Sequence, residues 1–151
     1  MDHYLAETDL LVRSPVHEVF DAFVQPELLE RFWLRHASGP LVAGGTVEWE
    51  FLADGSRERV TVTEVTRPTS ISFSWSDGID VELRFATFDA TSTRVAVSAR
   101  GFEAVAQAVA ATAGFTIVLC DLKTLLESGR SANLVRDKAV LITADAAAAG
   151  S

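Results

Sequence analysis

The chain has 151 residues, the length of one ordinary domain and too short for two, and about two thirds of the unfolded surface could be buried. Its 13 basic and 21 acidic residues give a net charge of −8, which argues against a nucleic-acid-binding surface and favours solubility. Apolar residues make up 48% of the chain and the mean hydropathy is +0.21, so this acidic chain carries an excess of apolar side chains.

Cysteine usage and the first residues bear on the compartment. Cys120 is the single cysteine, which excludes an intrachain disulfide and favours a reducing cytoplasm. Met1 to Tyr4 show no basic stretch followed by an apolar run, so we expect no signal peptide. Residues 104–120 lack charge but are largely alanine and shorter than a bilayer span, so we expect no transmembrane helix.

Three elements are predicted at the start of the chain. Residues 4–13 alternate imperfectly between apolar and polar side chains and predict a strand. Ser14-Pro15 predicts an N-cap followed by a proline at the first helical position, and a short amphipathic helix follows. Pro26 begins a second short amphipathic helix.

A run of strands with period-two alternation comes next. Val47, Trp49 and Phe51 alternate with polar residues, as do the apolar residues of four further segments. Turns separate these segments at Asp54-Gly55, Arg67-Pro68, Asp77-Gly78 and residues 89–92. The pattern predicts an antiparallel meander of five strands with one apolar and one solvated face.

The last predicted element is a long helix. Its apolar residues follow three-and-four spacing: Phe115, Val118, Leu119, Leu122, Leu125 and Leu126. Gly129 is placed for a C-cap, while the start is left open because Gly114 indicates either a kink or a close helix contact. Residues 144–151 are expected to form a frayed tail, so residues 1–143 are predicted as one domain.

Together these elements predict an α+β fold. Its sheet is curved, antiparallel and six-stranded, with two short helices and one long C-terminal helix over the concave face. A single helix does not fill such a concavity, so the remaining space goes to the short helices, to a cavity or to both. Large aromatic side chains on this face suit an apolar ligand site, although a place in the core is the alternative for each of them.

The order of elements and several stretches of sequence resemble the START and birch-pollen-allergen superfamily, whose members have the helix-grip fold. Within it, the chain is most similar to the domain of the activators of the ninety-kilodalton heat-shock chaperone ATPase. The stretches are residues 14–23 (SPVHEVFDAF), 26–33 (PELLERFW), 63–65 with 71–75, and 114–129 (GFTIVLCDLKTLLESG). The resemblance extends over residues 5–130 and implies a helix-grip fold for nearly the whole chain.

The resemblance implies two kinds of function. The family includes small-molecule carriers and co-chaperone domains, and the wider superfamily includes cyclases. The leading prediction is a binding protein that holds a small apolar or aromatic molecule between the sheet and the long helix. The alternative is a protein-interaction module that contacts a heat-shock chaperone ATPase through its outer surface.

The predicted ligand site combines aromatic walls with few polar groups. Its residues are Trp33 at the mouth, Trp49, Phe51, Phe73, Trp75, Phe85 and Phe115 as walls, and Glu64 and His36 as polar partners. Glu64 has the parity of Val60 and Val62, which points it inward unless a bulge shifts the register. His36 follows the second helix near the expected opening, and the alternative is an exposed loop residue without a role.

No catalytic, metal or cofactor site is predicted. His3, His17 and His36 share no ligand spacing, and Cys120 has no His or Cys partner nearby in the sequence. The sequence contains no nucleophile elbow and no phosphate-binding loop. We therefore expect no cofactor and neither a nucleic acid nor a membrane as partner, and we assign no enzyme activity.

A further stripe on the long helix lies about opposite its apolar face. It consists of Ile117, Cys120 and Thr124, and an apolar outward stripe requires cover. That cover could come from the tail, at Leu134, Val135, Val140 and Leu141, or from a second copy of the chain in a homodimer. The sequence leaves both alternatives open.

Overall fold

The computed structural model describes residues 3–53 and 55–149. Within them, antiparallel strands form one sheet: β1 (Tyr4–Val12), β2 (Leu34–Ala37), β3 (Thr46–Phe51), β4 (Arg57–Thr66), β5 (Ser70–Trp75), β6 (Asp80–Asp89) and β7 (Ser92–Phe102). Their order is β1-β7-β6-β5-β4-β3-β2, so a meander from β2 to β7 ends beside β1. The helices are α1 (Val16–Val24), α2 (Pro26–Phe32), α3 (Val105–Ser128) and α4 (Leu134–Ala149). The predicted α+β class is confirmed.

The prediction of six strands was wrong, because β2 adds a seventh strand at one edge of the sheet. Leu34 lies opposite Phe51 and His36 opposite Glu50, with a register shift between the two pairs. Leu34 and Ala37 are buried while the two residues between them are exposed, so the strand has no period-two alternation. Four residues with such a break carry no strand signal.

The two short helices lie where the sequence predicts, with a correction at the first N-terminus. Pro15, not Ser14, is the N-cap of α1, because the Pro15 carbonyl accepts the first helical hydrogen bonds, from the N–H groups of Glu18 and Val19. Ser14 Oγ instead donates to the Glu18 carboxylate at 2.7 Å. Helix α2 begins at Pro26, as predicted.

Helix α3 is one uninterrupted helix of 24 residues. Gly114 lies in its interior and marks no break, and Gly129 ends it with a left-handed φ of 82°, as predicted for a C-cap glycine. Its two halves differ in side-chain size. Alanine dominates before Phe115, whereas three leucines after it are buried: Leu119, Leu122 and Leu125.

Polar side chains of α3 bind the outer edge of β1. The hydroxyls of Thr8 and Thr116 are 2.7 Å apart, and Lys123 Nζ donates to the Leu11 carbonyl at 2.8 Å. An edge strand presents unpaired backbone groups, and the bond from Lys123 supplies a donor to one backbone carbonyl of β1. They fix α3 along β1 and so determine which part of the concave face it covers.

By length and composition alone, α3 is apolar enough to cross a membrane. Its most apolar window has a mean hydropathy of 1.7, and 33% of that window is buried. The helix is longer than the uncharged run in the sequence because it continues through Asp121 and Lys123 to Ser128. A helix that covers a sheet meets the same criterion, since burying one face requires many apolar residues.

The patterns above do not predict α4, and the expectation of a frayed tail is corrected for residues 144–149, which are helical. Alanine has the highest helix propensity, and the N-terminus of α4 is anchored. The buried Asp121 carboxylate accepts hydrogen bonds from Ser131 Oγ at 2.5 Å and from the Val135 N–H at 3.1 Å. The last two residues of the predicted tail and the predicted turn residue Asp54 lie outside the described residues.

Candidate ligand-binding site

An apolar cavity of about 460 Å³ lies between one end of the sheet, the first half of α3 and one face of α4. The sheet contributes residues at the β3–β4 and β5–β6 turns, and the charged side chains of the described lining are Asp77 and Lys138. Larger depressions of about 570 Å³ and 740 Å³ lie on the outer face of the sheet and around the α3–α4 loop, but charged and hydroxyl-bearing side chains predominate there. Apolar walls with few polar groups are typical of small-molecule sites, so the α3/α4 cavity is the candidate.

Four aromatic side chains form one wall, and we call them the aromatic box: Phe51 and Trp75 of the sheet, Trp33 at the end of α2, and Phe115 of α3. Each ring contacts the next in a closed circuit, with centroid distances of 6.4 Å (Trp33–Phe51), 6.1 Å (Phe51–Trp75), 5.9 Å (Trp75–Phe115) and 6.1 Å (Phe115–Trp33). The Trp75 and Phe115 rings are parallel to within 3°. These contacts fix the rings against one another, so the structure brings four predicted site residues together on one preformed wall.

Three other predicted wall residues lie in the core. Trp49, Phe73 and Phe85 are 1%, 1% and 3% exposed, and none of them lines the cavity. Trp49 packs between Trp33 and Phe73, with centroid distances of 5.0 and 5.2 Å, while Phe85 contacts two phenylalanines of α1. For these three residues the structure shows the core position that the sequence left as the alternative.

Two buried indole N–H groups lack a hydrogen-bond partner among the described residues, those of Trp49 and Trp75. An unpaired buried donor costs about 1–3 kcal/mol, so the aromatic region is incompletely satisfied. Trp75 lines the cavity with its ring, although the Nε1 atom itself is covered by protein. An acceptor on a bound molecule would reach it only after a shift of the ring.

Glu64 does not face the cavity. A register shift in the β4–β5 pairing lies between Val62, which is opposite Phe73, and Glu64, which is opposite Ser72. Glu64 is exposed as a result, and its carboxylate accepts a hydrogen bond from Thr66 Oγ1 at 3.0 Å. The bulge turns the carboxylate outward, which the parity of the sequence does not reveal.

His36 lies in β2 rather than in a loop, and it does not line the cavity. Its side chain is 64% exposed, and Nδ1 is 3.2 Å from the Glu30 carboxylate. The structure therefore places it on the surface, in agreement with the alternative of an exposed residue, and it pairs there with α2.

The cavity exists because α3 has small side chains opposite the aromatic box. Ala110, Ala111 and Gly114 line it, and a Cβ built on Gly114 would have no atom within 4 Å. Sequence reasoning missed these residues, because it sought a site among large and polar side chains. The available signal was the contrast between the alanine-rich and leucine-rich halves of one helix.

Helix α4 supplies the outer wall. Val135, Lys138, Ala139 and Ile142 have helical three-and-four spacing, and all of them line the cavity. Ala139 is buried and Val135 packs against the core, so the C-terminal segment supplies cover for α3, one of the two covers that the sequence left open. Val140 and Leu141, which the sequence offered as part of that cover, do not line the cavity and remain exposed.

The lining includes a few polar side chains. Ser56 offers a hydroxyl, Asp77 a carboxylate and Lys138 an ammonium. Asp77 Oδ1 accepts the Ile79 N–H at 3.1 Å, which stabilises the β5–β6 turn. In the described part of the chain, no group of three or more His, Cys, Asp or Glu side chains is arranged to hold a metal ion.

Comparison with known proteins identifies relatives of this fold. A family model described as Activator of Hsp90 ATPase homolog 1-like protein matches residues 13–127. No functionally curated protein is significantly similar in sequence. The solved structure of SSP2350 from Staphylococcus saprophyticus is 25% identical with a TM-score of 0.77, and the match covers 85% of this chain and 95% of that one.

Two further structures share the fold at lower identity. The Aha1 dimer from Colwellia psychrerythraea is 17% identical with a TM-score of 0.76, over 85% of this chain and 99% of that one. DynU16, a putative protein in the dynemicin biosynthetic locus, is 22% identical with a TM-score of 0.76, over 84% of this chain and 48% of that one. Helix α4 lies beyond the residues that the family model matches.

Proposed function

We propose that this chain, which belongs to the family of Activator of Hsp90 ATPase homolog 1-like proteins, binds a small apolar or aromatic molecule in the α3/α4 cavity. The observation that carries the proposal is the cavity of about 460 Å³ with the aromatic box as one wall. This volume falls within the range of about 300–1,000 Å³ that is usual for ligand sites. We assign no catalytic step to it, since the lining offers a ligand contact rather than a nucleophile with its base.

Binding would be driven by removal of apolar surface from water. Each square ångström of apolar surface removed from water contributes about 25 cal/mol, before the entropy of association is subtracted. A flat ring can pack on Phe51 and Trp75, the two members of the aromatic box that are only half-buried. A preformed wall reduces the ordering cost, because its rings already contact one another.

The decisive experiment fills the cavity from Gly114. In Gly114→Phe the added ring projects into open space, whereas Gly114→Ala adds a single methyl at the same backbone position and serves as the matched control. We expect the affinity for 2-naphthalenemethanol, a neutral probe measured by isothermal titration calorimetry, to fall about tenfold or more in Gly114→Phe. Equal affinity in the two variants, or no binding to the wild type, would contradict the proposal.

A second function is favoured by the family itself, whose description names activators of the Hsp90 ATPase. In this alternative the protein contacts a heat-shock chaperone through its outer surface and the cavity has no role. The exposed apolar residues Val105, Val109, Val140 and Leu141 could contribute to such a contact. Stimulation of the chaperone's ATPase that is equal for wild type and Gly114→Phe would support the alternative, and no stimulation at stoichiometric concentrations would exclude it.

We further propose that the protein is cytoplasmic. In support, α3 packs against the sheet, and the single cysteine, Cys120, suits a reducing compartment. A homodimer is a further proposal, supported by the dimeric state of the Aha1 structure from Colwellia psychrerythraea and by the exposed Leu141 of α4. Sedimentation equilibrium tests it, and a monomer at all concentrations would exclude it. No nucleic-acid partner is proposed, in keeping with the net charge of −8.

A further inference from the structure

The cavity face of α4 carries one charged side chain. Lys138 is on the cavity face of α4, between Val135 and Ile142 along the helix. The face of a helix that packs against other elements is normally apolar, and α4 has other faces on which a lysine would be solvated. Arg136, two residues earlier, lies on such a face and lines a different groove, beside Arg35.

The Lys138 ammonium also lacks a counter-ion among the described residues. It makes no hydrogen bond or ion pair with a side chain or carbonyl in the ranges 3–53 and 55–149. Asp77, the other charged group of the lining, already accepts the Ile79 N–H. Lys138 is exposed, which is the arrangement of a side chain whose stem covers an apolar wall and whose ammonium stays in water at the mouth.

We infer that the cavity selects amphipathic anions, with the apolar or aromatic body against the aromatic box and a carboxylate or similar head at Lys138. The inference rests on the proposed function and adds the class of ligand. The head remains near water, so neither charge is fully desolvated and the pair is favourable at modest strength. The apolar body of the ligand contributes most of the affinity, and Lys138 determines which head group is preferred.

The charge of the whole chain makes this selectivity distinctive. With a net charge of −8, the general field attracts cations and repels anions. A preference for an anion must therefore come from a local group, and Lys138 is the single cation on the described lining. Lys138 lies beyond residue 127, where the family match ends, so the matched segment does not include this cation.

The test compares three probes with one ring system and different heads: 2-naphthoate, 2-naphthalenemethanol and (2-naphthylmethyl)trimethylammonium. Isothermal titration at pH 7 gives the three affinities for the wild type, Lys138→Gln and Arg136→Gln. We expect the wild type to bind 2-naphthoate about fivefold more tightly than the alcohol. In Lys138→Gln we expect 2-naphthoate and the alcohol to bind with about equal affinity, whereas Arg136→Gln, which loses an equal charge from the same helix, retains the preference for 2-naphthoate.

Three results would overturn the inference. If the wild type shows no preference for 2-naphthoate, or keeps the preference in Lys138→Gln, Lys138 does not select the head while the proposed function stands. If the ammonium probe binds most tightly and Asp77→Asn weakens it, selectivity lies with Asp77. If none of the probes binds the wild type, both the inference and the proposed function fail.

Discussion

The two ends of the concave face of the sheet both carry aromatic residues, but one end is closely packed and the other leaves a cavity. At the closed end, Phe20 and Phe23 of α1 pack on Phe85 at 5.4 and 5.6 Å, and Leu119 and Leu122 of α3 are fully buried. At the open end, the aromatic box faces the alanine-rich half of α3 and a cavity remains. Aromatic residues line both ends, so their presence does not decide which end can bind a ligand.

The residues opposite the aromatics make the difference. A leucine fills the space between a helix and a sheet that an alanine or glycine leaves empty, and a close-packed interior tolerates few such voids. At the open end α4 covers the gap without filling it, since Ala139 is the one residue of the described α4 that is buried. A binding site can thus be recognised from small residues on a covering helix as well as from the aromatics below it.

The largest expected effect is the loss of stability when a leucine of the closed end is truncated to alanine. Leu119→Ala at the closed end should destabilise the protein by about 3 kcal/mol, because it leaves a void in a packed core. Leu141→Ala, the control on the exposed surface of α4, should stay within about 0.5 kcal/mol of the wild type. Urea unfolding at pH 7 measures both, and a small loss for Leu119→Ala would mean that the closed end is not close-packed.

The next effect concerns the cover of the open end. Asp121→Ala removes the buried acceptor of Ser131 and of the Val135 N–H, at a cost of about 1–3 kcal/mol. We expect amide hydrogen exchange to accelerate in α4 while the leucine-rich half of α3 stays protected. Asp121→Asn keeps one carbonyl acceptor, so its rate of amide exchange in α4 should lie between those of the wild type and Asp121→Ala. Unchanged exchange in α4 would show that packing alone holds the helix.

A smaller effect, of opposite sign, is expected at Gly114. Gly114→Ala should stabilise α3 by roughly 0.5–1 kcal/mol, because alanine is the better helix former and its methyl meets open space. Thermal unfolding should show a higher midpoint. Gly129→Ala provides the contrast and should lower the midpoint, since Gly129 has a φ of 82° that alanine adopts at a cost. A lower midpoint for Gly114→Ala would mean that the cavity is filled.

The smallest effect concerns Glu127, at the closed end. Burial would raise the pKa of this carboxyl, but hydrogen bonds from Lys123 and the Arg13 N–H and the Lys123 charge outweigh it and lower the pKa below the ordinary 4.5. The carboxylate therefore stabilises the fold fully above pH 4.5, and this contribution is lost as the pH falls through the lowered pKa.

Glu127→Gln should accordingly lose about 0.5 kcal/mol at neutral pH, and the difference from the wild type should shrink in acid. Urea unfolding at pH 7 and at pH 3 measures the two differences. A difference that is independent of pH would mean that the carboxylate charge contributes nothing at this place.

The sequence predicts the parts of the fold that repeat a local pattern. The alternation of Val47, Trp49 and Phe51 continues through the meander, so its strands could be placed without a structure. Strand β2 could not be placed in this way, because its register shift breaks the pattern within four residues. α4 could not, since its apolar face is narrow and most of its second half is alanine, which fits a helix and a loose tail equally well.

The candidate site is harder to predict because it depends on distances between segments far apart in the chain. Parity placed Phe51 and Trp75 on the correct face, but it gave Trp49 and Phe73 the same face without showing that these two lie deeper. It also failed at Glu64, where one extra residue in β4 reverses the direction of the side chain. The sequence pattern does not single out Lys138, because its place at the cavity depends on how α4 packs over it.

All three tryptophans of the chain belong to one aromatic cluster at this cavity, and the chain has one tyrosine. The indoles of Trp33 and Trp49 are 5.0 Å apart between ring centroids, close enough for their excited states to couple. Trp49 and Trp75 have buried N–H groups without a hydrogen-bond partner among the described residues, an environment that shifts indole emission to short wavelengths. The tryptophan fluorescence of the protein thus comes from Trp33 and Trp75 in the wall of the cavity and from Trp49 directly behind it. The unlabelled protein carries its own fluorescent sensor for whatever enters there.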